Sequence, residues 1–212
     1  HGLFFAPNVS TSSRATIGGM ISTDACGQGS KVYGRTSNHT LAIQIVLADG
    51  STHWIQSWNR TQVESVIEGG APLGTATATV RKVATEHADA IRARFPPLNR
   101  FLTGYNLAHL SEVGGGLNLV PLICGSEGTL AMIVRARLRL TPLPKHRRLV
   151  VLKYPRFLDA LDDAGPLEAY DPVAVETLDE KILERLRGDE IFPRIRELLG
   201  DDIGKGTGAT NL

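Results

Sequence analysis

Cysteine is scarce: Cys26 and Cys124 are the only two among 212 residues. Two are too few for a disulfide scaffold, and their spacing matches no zinc or iron–sulfur ligand pattern. Both are read as reduced, small, semi-apolar residues of a cytoplasmic protein, because nothing nearby supplies a base that would stabilise a thiolate. An excess of charge is lacking too. Lys and Arg number 23 against 22 Asp and Glu, for a net charge of +1. With no basic excess and no basic stripe, a nucleic-acid partner is not expected. No run is long and apolar enough to span a bilayer, and no signal peptide opens the chain. An initiating methionine is also missing. His1 runs straight into Gly2-Leu3-Phe4-Phe5-Ala6-Pro7, which reads as a cut piece of a longer protein. The length suits one good core, or one core with a smaller second lobe.

Glycine is plentiful and clustered. Residues 4–38 are dense in Gly, Ser and Thr, a composition of either a linker or an ordered loop that brings backbone to a ligand. Ala15-Thr16-Ile17-Gly18-Gly19-Met20-Ile21 favours the ordered loop, since apolar anchors alternate with the glycines. Leu41 to Ala48 reads as a buried strand, Asp49-Gly50 as a two-residue hairpin turn, and Ser51 to Trp58 as the returning strand. Thr61 and Glu64 have capping-box spacing for a helix that stops at Gly69-Gly70. A longer helix is predicted over about 76–94, with Val80, Val83, Ala84, His87, Ala90 and Ile91 on one stripe, and Pro96-Pro97 ends it. His87 is accordingly read as a core-edge residue. The clearest strand spans 129–141. There Leu130, Met132, Val134, Ala136, Leu138 and Leu140 form an apolar face opposite Ala131, Ile133, Arg135, Arg137 and Arg139. The three arginines are read as a solvated face.

Pro142-Leu143-Pro144 and the basic run Lys145 to Arg148 mark a boundary. Beyond it the order is strand (Leu149–Tyr154), helix (about 156–163), strand (Val173–Thr177) and helix (about 179–187), with no convincing terminal element before Asn211-Leu212. Gly204-Lys205-Gly206-Thr207-Gly208 lacks Walker spacing and reads as a flexible loop.

Gly18-Gly19 and Gly125-x-x-Gly128 fit neither a P-loop nor the dinucleotide fingerprint. As an ordered set the motifs say more. Pro7-Asn8-Val9-Ser10, Ala15 to Met20, Gly27, Tyr33-Gly34-Arg35-Thr36 and Val46-Leu47-Ala48-Asp49-Gly50 resemble the FAD-binding, PCMH-type domain of the vanillyl-alcohol-oxidase superfamily. Thr103-Gly104-Tyr105-Asn106-Leu107 followed by Gly125-Ser126-Glu127-Gly128-Thr129-Leu130 is similar to its branch acting on D-2-hydroxy acids. The wording of Phe4 to Ser37 and Asn99 to Leu107 resembles the large bacterial D-2-hydroxyglutarate dehydrogenases, in which an FAD half is fused to an iron–sulfur half. The resemblance covers most of residues 3–187. Asp24 departs from it, standing where many relatives have Asn, so a side-chain amide contact is not carried over. Ala131-Met132 departs as well, replacing a Gly-Ile pair.

The resemblance implies an α+β fold. An antiparallel sheet flanked by helices, the second FAD-binding subdomain, would occupy residues 1–143, and the start of an α+β cap domain residues 147–212. It implies FAD as cofactor, with Pro7, Ser10, Thr16, Gly18, Gly19, Gly27, Gly34, Glu127, Gly128 and Ile133 as its binding residues. Gly18 and Gly19 would let backbone N–H groups approach the cofactor. Ser10 and Thr16 would add hydroxyls, and Gly128 and Ile133 would bring backbone to the adenosine end. The flavin performs the redox step and the protein orients it. The implied reaction is hydride transfer from a small D-2-hydroxy acid, of D-2-hydroxyglutarate or D-lactate type, to FAD. The electron acceptor is unidentified and homo-oligomerisation is open. The expected location is the cytoplasm or the periphery of the inner membrane. An upstream pyrophosphate-gripping subdomain and the later substrate arginine and His/Glu metal cluster of such enzymes are not found in these residues. His39, His53, His87, His109 and His146 show no ligand spacing, so no catalytic or metal residue is assigned. The rival readings are another flavin oxidase or ether-lipid synthase of the superfamily, and a cofactor-free binding or oligomerisation module.

Overall fold

The computed structural model describes residues 1–98, 104–200 and 209–211. Residues 99–103 of the Asn99 to Leu107 motif, the glycine-rich string 204–208 and Leu212 lie outside the described residues. The chain divides into two compact units, His1–Leu143 and Pro144–Leu212.

The first unit begins with β1 (Leu3–Phe4), the short helices α1 (Ile17–Ser22), α2 (Ser30–Tyr33) and α3 (Thr36–His39), and then the hairpin β2 (Thr40–Val46) and β3 (Thr52–Trp58). Helices α4 (Arg60–Glu68), α5 (Leu73–Glu86) and α6 (Ala88–Arg94) follow. After them come β4 (Ser111–Glu112), β5 (Gly116–Asn118), α7 (Val120–Ile123), β6 (Met132–Leu138) and β7 (Thr141–Pro142). Five strands form one sheet in the order β4-β5-β3-β2-β6, all pairs antiparallel, and β1 pairs separately with β7. The expected antiparallel sheet flanked by helices is therefore present.

Its core is aliphatic. Ile43, Ile45 and Ile55 on the two central strands are buried with Ile21, Trp58, Val63, Leu110, Leu117 and Val120. Each such side chain contributes about 1.5–3 kcal/mol by leaving water. The hairpin forms where expected, but its connection is longer than two residues. Leu47 N–H donates to Ser51 O, and Gly50 N–H closes a turn on Leu47 O with Gly50 at φ 84°. That is a three-residue loop whose last position must be left-handed, which glycine adopts without strain.

Four local expectations are corrected. The capping box of α4 is Asn59 with Gln62, not Thr61 with Glu64. Asn59 Oδ1 accepts from Gln62 N at 2.9 Å, and Gln62 Oε1 accepts from Asn59 N at 3.0 Å. The long helix starts earlier, at Leu73, and breaks at His87, whose φ/ψ of −111°/18° is not helical. His87 is exposed at that break rather than at the core edge.

The apolar face of the 129–141 segment changes phase part-way. Gln44 pairs with Arg135 while Ile45 pairs with Ile133, so Val134 is an extra, bulged residue. A bulge moves later side chains to the other face. Ala131 and Ile133 therefore point inward before it, and Ala136 and Leu138 after it, whereas Met132 and Val134 are exposed.

The second unit holds β8 (Leu152–Tyr154), α8 (Phe157–Leu167), β9 (Thr177–Asp179), α9 (Glu180–Arg187), α10 (Phe192–Leu199) and β10 (Ala209–Asn211). The expected strand at Val173–Thr177 lies later, at β9. The terminal element that seemed absent is the central strand: β10 lies between β8 and β9, antiparallel to both. Asn211 is buried there, accepting from Thr177 Oγ1 at 2.7 Å and donating to Ala160 O at 2.8 Å.

Candidate functional site

The candidate site is built around α1. Thr16 caps it: its hydroxyl accepts from Gly19 N at 3.1 Å, one of the donors that a helix start leaves without a partner. At the other end, Thr23 returns both its N–H and its hydroxyl to Gly19 O. The chain then turns through Asp24 at φ 45°, a left-handed position that Asp tolerates better than most side chains. A distant segment completes the helix end. Ile21 O accepts from Gly125 N at 3.0 Å and Ser22 O from Glu127 N at 2.9 Å, so the loop 125–128 is docked on the last turn of α1. Gly125, Glu127 and Gly128 are all left-handed, with φ of 85°, 52° and 78°.

A third segment is clasped to the same place. Asp24 is 4% exposed, and its carboxylate accepts from Ser37 N at 2.8 Å and Ser37 Oγ at 3.1 Å. Arg35 Nε lies 3.1 Å from Asp24 Oδ2, an ion pair without hydrogen-bond alignment. Ala25 O accepts from both Thr36 N and Thr36 Oγ1. The three glycine-rich motifs, scattered over more than a hundred residues, thus meet at one junction.

Two hollows flank that junction. The larger, about 420 Å³, is lined by Thr23, Asp24, Arg35, Gly104, Tyr105, Cys124, Gly125, Ser126, Glu127 and Thr129. The smaller, about 300 Å³, is lined by Gly18, Ser22, Gly128, Ala131, Met132 and Ile133. Of the residues expected to hold FAD, Gly18, Gly128 and Ile133 come together around the smaller hollow, and Glu127 lines the larger. Thr16 and Gly19 sit at the start of α1, and Ser10 is exposed on the loop before it. Pro7 is buried. Gly27 and Gly34 are accounted for by packing within the protein. A Cβ on Gly27 would lie 2.0 Å from Asn8 O, and one on Gly34 2.5 Å from Asn38 Oδ1.

The smaller hollow fits an FAD wall. Gly18 and Gly128 have no heavy atom within 4 Å of where a Cβ would stand, so their backbone is uncovered on that side. Strand β6 is also the edge of its sheet, which leaves half of its main-chain donors and acceptors facing away from β2. Cys124 lines the larger hollow as a buried thiol, and burial pushes its pKa far above the usual thiol range. It is inert there. Among the described residues no cluster of His, Cys, Asp and Glu is arranged to hold a metal ion, and no helix is long and apolar enough to cross a membrane.

Sequence reading quotes Arg35, Gly104, Tyr105, Ser126 and Thr129 as motif residues without placing them in a site, marks Asp24 only as a departure, and gives no sign of Thr23. One signal was available. Asp24 is the sole acidic residue in the first 48 positions. A lone carboxylate in a Gly-rich, cation-bearing stretch needs a partner.

Residues 1–56 match the family described as an FAD binding domain. The chain is 41% identical over 212 residues to D-2-hydroxyglutarate dehydrogenase of Pseudomonas putida, covering all of this chain and 21% of that protein. Along its whole length the chain is similar to D-2-hydroxyglutarate dehydrogenases. The Escherichia coli enzyme of that name is 43% identical over 201 residues, covering 94% of this chain and 20% of its own. A D-lactate dehydrogenase of Archaeoglobus fulgidus is 26% identical over 185 residues, covering 87% and 30% respectively. The chain spans about a fifth of the length of the D-2-hydroxyglutarate dehydrogenases it matches. Among solved structures, an alkyldihydroxyacetonephosphate synthase shares the fold, with a TM-score of 0.52 at 14% identity over 99% of this chain and 29% of that one.

Proposed function

We propose that residues 1–143 build one wall of an FAD site in an enzyme that oxidises a small D-2-hydroxy acid, of D-2-hydroxyglutarate or D-lactate type, with residues 147–212 belonging to its cap domain. The observation that carries this reading is the convergence on α1 of the three segments whose sequence resembles FAD-linked dehydrogenases. Bound FAD would supply the hydride acceptor. The chain's own residues act by position. Uncovered backbone at Gly18 and Gly128 allows close approach without a side chain in the way, and the edge of β6 near Ile133 offers main-chain hydrogen bonds. Thr16 and Gly19 fix the first turn of α1, Pro7 and Ser10 shape the loop before it, and Gly27 and Gly34 hold the surrounding loops. Glu127 holds the docked loop through its N–H. Donors held in place before a ligand arrives lose little freedom on binding.

The test is spectroscopic. A longer polypeptide that joins these residues to a pyrophosphate-gripping subdomain should carry flavin absorbance that D-2-hydroxyglutarate or D-lactate bleaches when air is excluded. A purified protein without flavin, or one bleached equally by the L-enantiomers, refutes the reading.

A further inference from the structure

We propose that the larger hollow beside α1 is an oxyanion site in which Arg35 and Ser126 take the carboxylate or phosphate group of a small molecule. The argument needs no flavin. Arg35 is paired with Asp24 by charge alone: Nε lies 3.1 Å from Asp24 Oδ2 without a hydrogen bond, and neither terminal nitrogen makes a hydrogen bond among the described residues. The side chain is 13% exposed and lines the hollow, so its two terminal NH2 groups remain for a ligand. A guanidinium beside a carboxylate at Nε and open at its other two nitrogens is suited to a carboxylate or phosphate, whose oxygens it meets as a fork.

Ser126 is the second, independent observation. It is 3% exposed and lines the same hollow, and its hydroxyl makes no hydrogen bond among the described residues. That hydroxyl is not among the fully buried polar atoms without a partner, so it opens into the hollow, where a ligand oxygen can accept its proton. The other hydroxyls there are committed. Thr23 donates to Gly19 O and Thr129 donates to Ser126 O at 2.6 Å. The Tyr105–Thr129 contact of 2.8 Å is then made by the tyrosine proton.

Two carboxylates share the hollow with Arg35. Asp24 is engaged by Ser37 and Arg35 and serves as the anchor. Glu127 is exposed and opposes an incoming anion, so its charge sets a predicted sign: neutralising it should tighten binding.

The experiment titrates the 212-residue chain with inorganic phosphate and, separately, with acetate, following the Arg35 side-chain N–H resonances by NMR. A saturable shift at Arg35 is expected. Arg35→Met should weaken binding about tenfold, Ser126→Ala about threefold, and Glu127→Gln should strengthen it about twofold. Where Arg35→Met fails to fold, Arg35→Lys keeps the charge on Asp24 but loses the fork, and it should weaken binding while leaving thermal stability near that of the parent. Binding of phosphate without acetate identifies a phosphate-bearing ligand, and binding of acetate identifies a carboxylate. The proposal is overturned if neither anion shifts Arg35 saturably, if the folded Arg35 variants bind as the parent does, or if Glu127→Gln weakens binding.

Discussion

Two glycines of the FAD-type motif set should respond differently to the same small change. At Gly27 a Cβ would lie 2.0 Å from Asn8 O, 3.1 Å from Asn8 C and 3.2 Å from Val9 Cα, all of them backbone atoms. Carbon and oxygen approach to about 3.3 Å at the closest, so the segment around Asn8 must retreat by about 1.3 Å. That segment is not free to move, because Val9 O is held by Ser12 N at 3.0 Å and Pro7 before it is buried. Gly27→Ala should therefore cost about 3 kcal/mol, the upper end for overpacking. In a chain of this size that lowers the melting temperature by roughly 6–12 °C. Gly18 lies inside α1 with nothing within 4 Å of its absent Cβ. Gly18→Ala should leave stability unchanged or raise it by about 0.5 kcal/mol through helix propensity.

Urea unfolding followed by tryptophan fluorescence reads the effect in the first unit, since Trp54 and Trp58 both lie on β3. The same pair separates packing from ligand binding. If the smaller hollow receives FAD, Gly18→Ala should lower flavin retention in a flavin-loaded polypeptide while its stability holds. Gly27→Ala should lower stability first, with flavin lost only as the protein unfolds. A Gly27→Ala variant within about 0.5 kcal/mol of the parent, or a Gly18→Ala variant as destabilised as Gly27→Ala, would refute the packing argument.

Asp24→Ala removes the anchor of a buried ion pair and the acceptor of Ser37 N, and should cost about 3 kcal/mol in urea unfolding, whereas Asp24→Asn should cost less because the amide oxygen can still accept from Ser37. Native thiol labelling should modify Cys26, which is partly exposed, and spare Cys124, whose burial raises its pKa; both should react in urea, and native labelling of Cys124 would contradict its placement. Asn211→Ala leaves Thr177 Oγ1 and Ala160 O without their partner and should destabilise the second unit by about 2 kcal/mol, seen as faster amide exchange in β8 and β9. Trypsin should cut first at Lys145, Arg147 or Arg148, since residues 142–150 are exposed, and early cleavage at Arg135 or Arg137 would mean that β6 is not a core strand.

What sequence reading could reach depended on whether a signal was local. The β2–β3 hairpin was legible because buried aliphatics flank a turn dipeptide, and the FAD-type motifs because their wording and order are unusual together. The helix α4 was legible while its cap was not. Asn59/Gln62 and Thr61/Glu64 both offer a capping pair three residues apart, and spacing alone does not choose between them. The break at His87 carries no glycine or proline, and the apolar spacing runs on across it.

The phase change at Val134 was hidden for a related reason. Both parities of 130–138 contain apolar residues, so a bulge that exchanges them leaves no mark in a pattern of hydrophobicity. Its consequence is that Ala131 and Ile133 pack into the core while Met132 is left exposed, and backbone and side chains of all three border the smaller hollow. The site itself was half legible: the glycines were found, whereas the residues that hold them in place were not. Asp24, Arg35 and Ser37 act through contacts between segments a dozen residues apart, and Gly125 and Glu127 reach α1 from about a hundred residues away. No period or spacing encodes such a contact. What encodes it is the need of each buried charge and each open helix end for a partner, and an unmatched Asp24 in a stretch without other acids is where that need shows in the sequence.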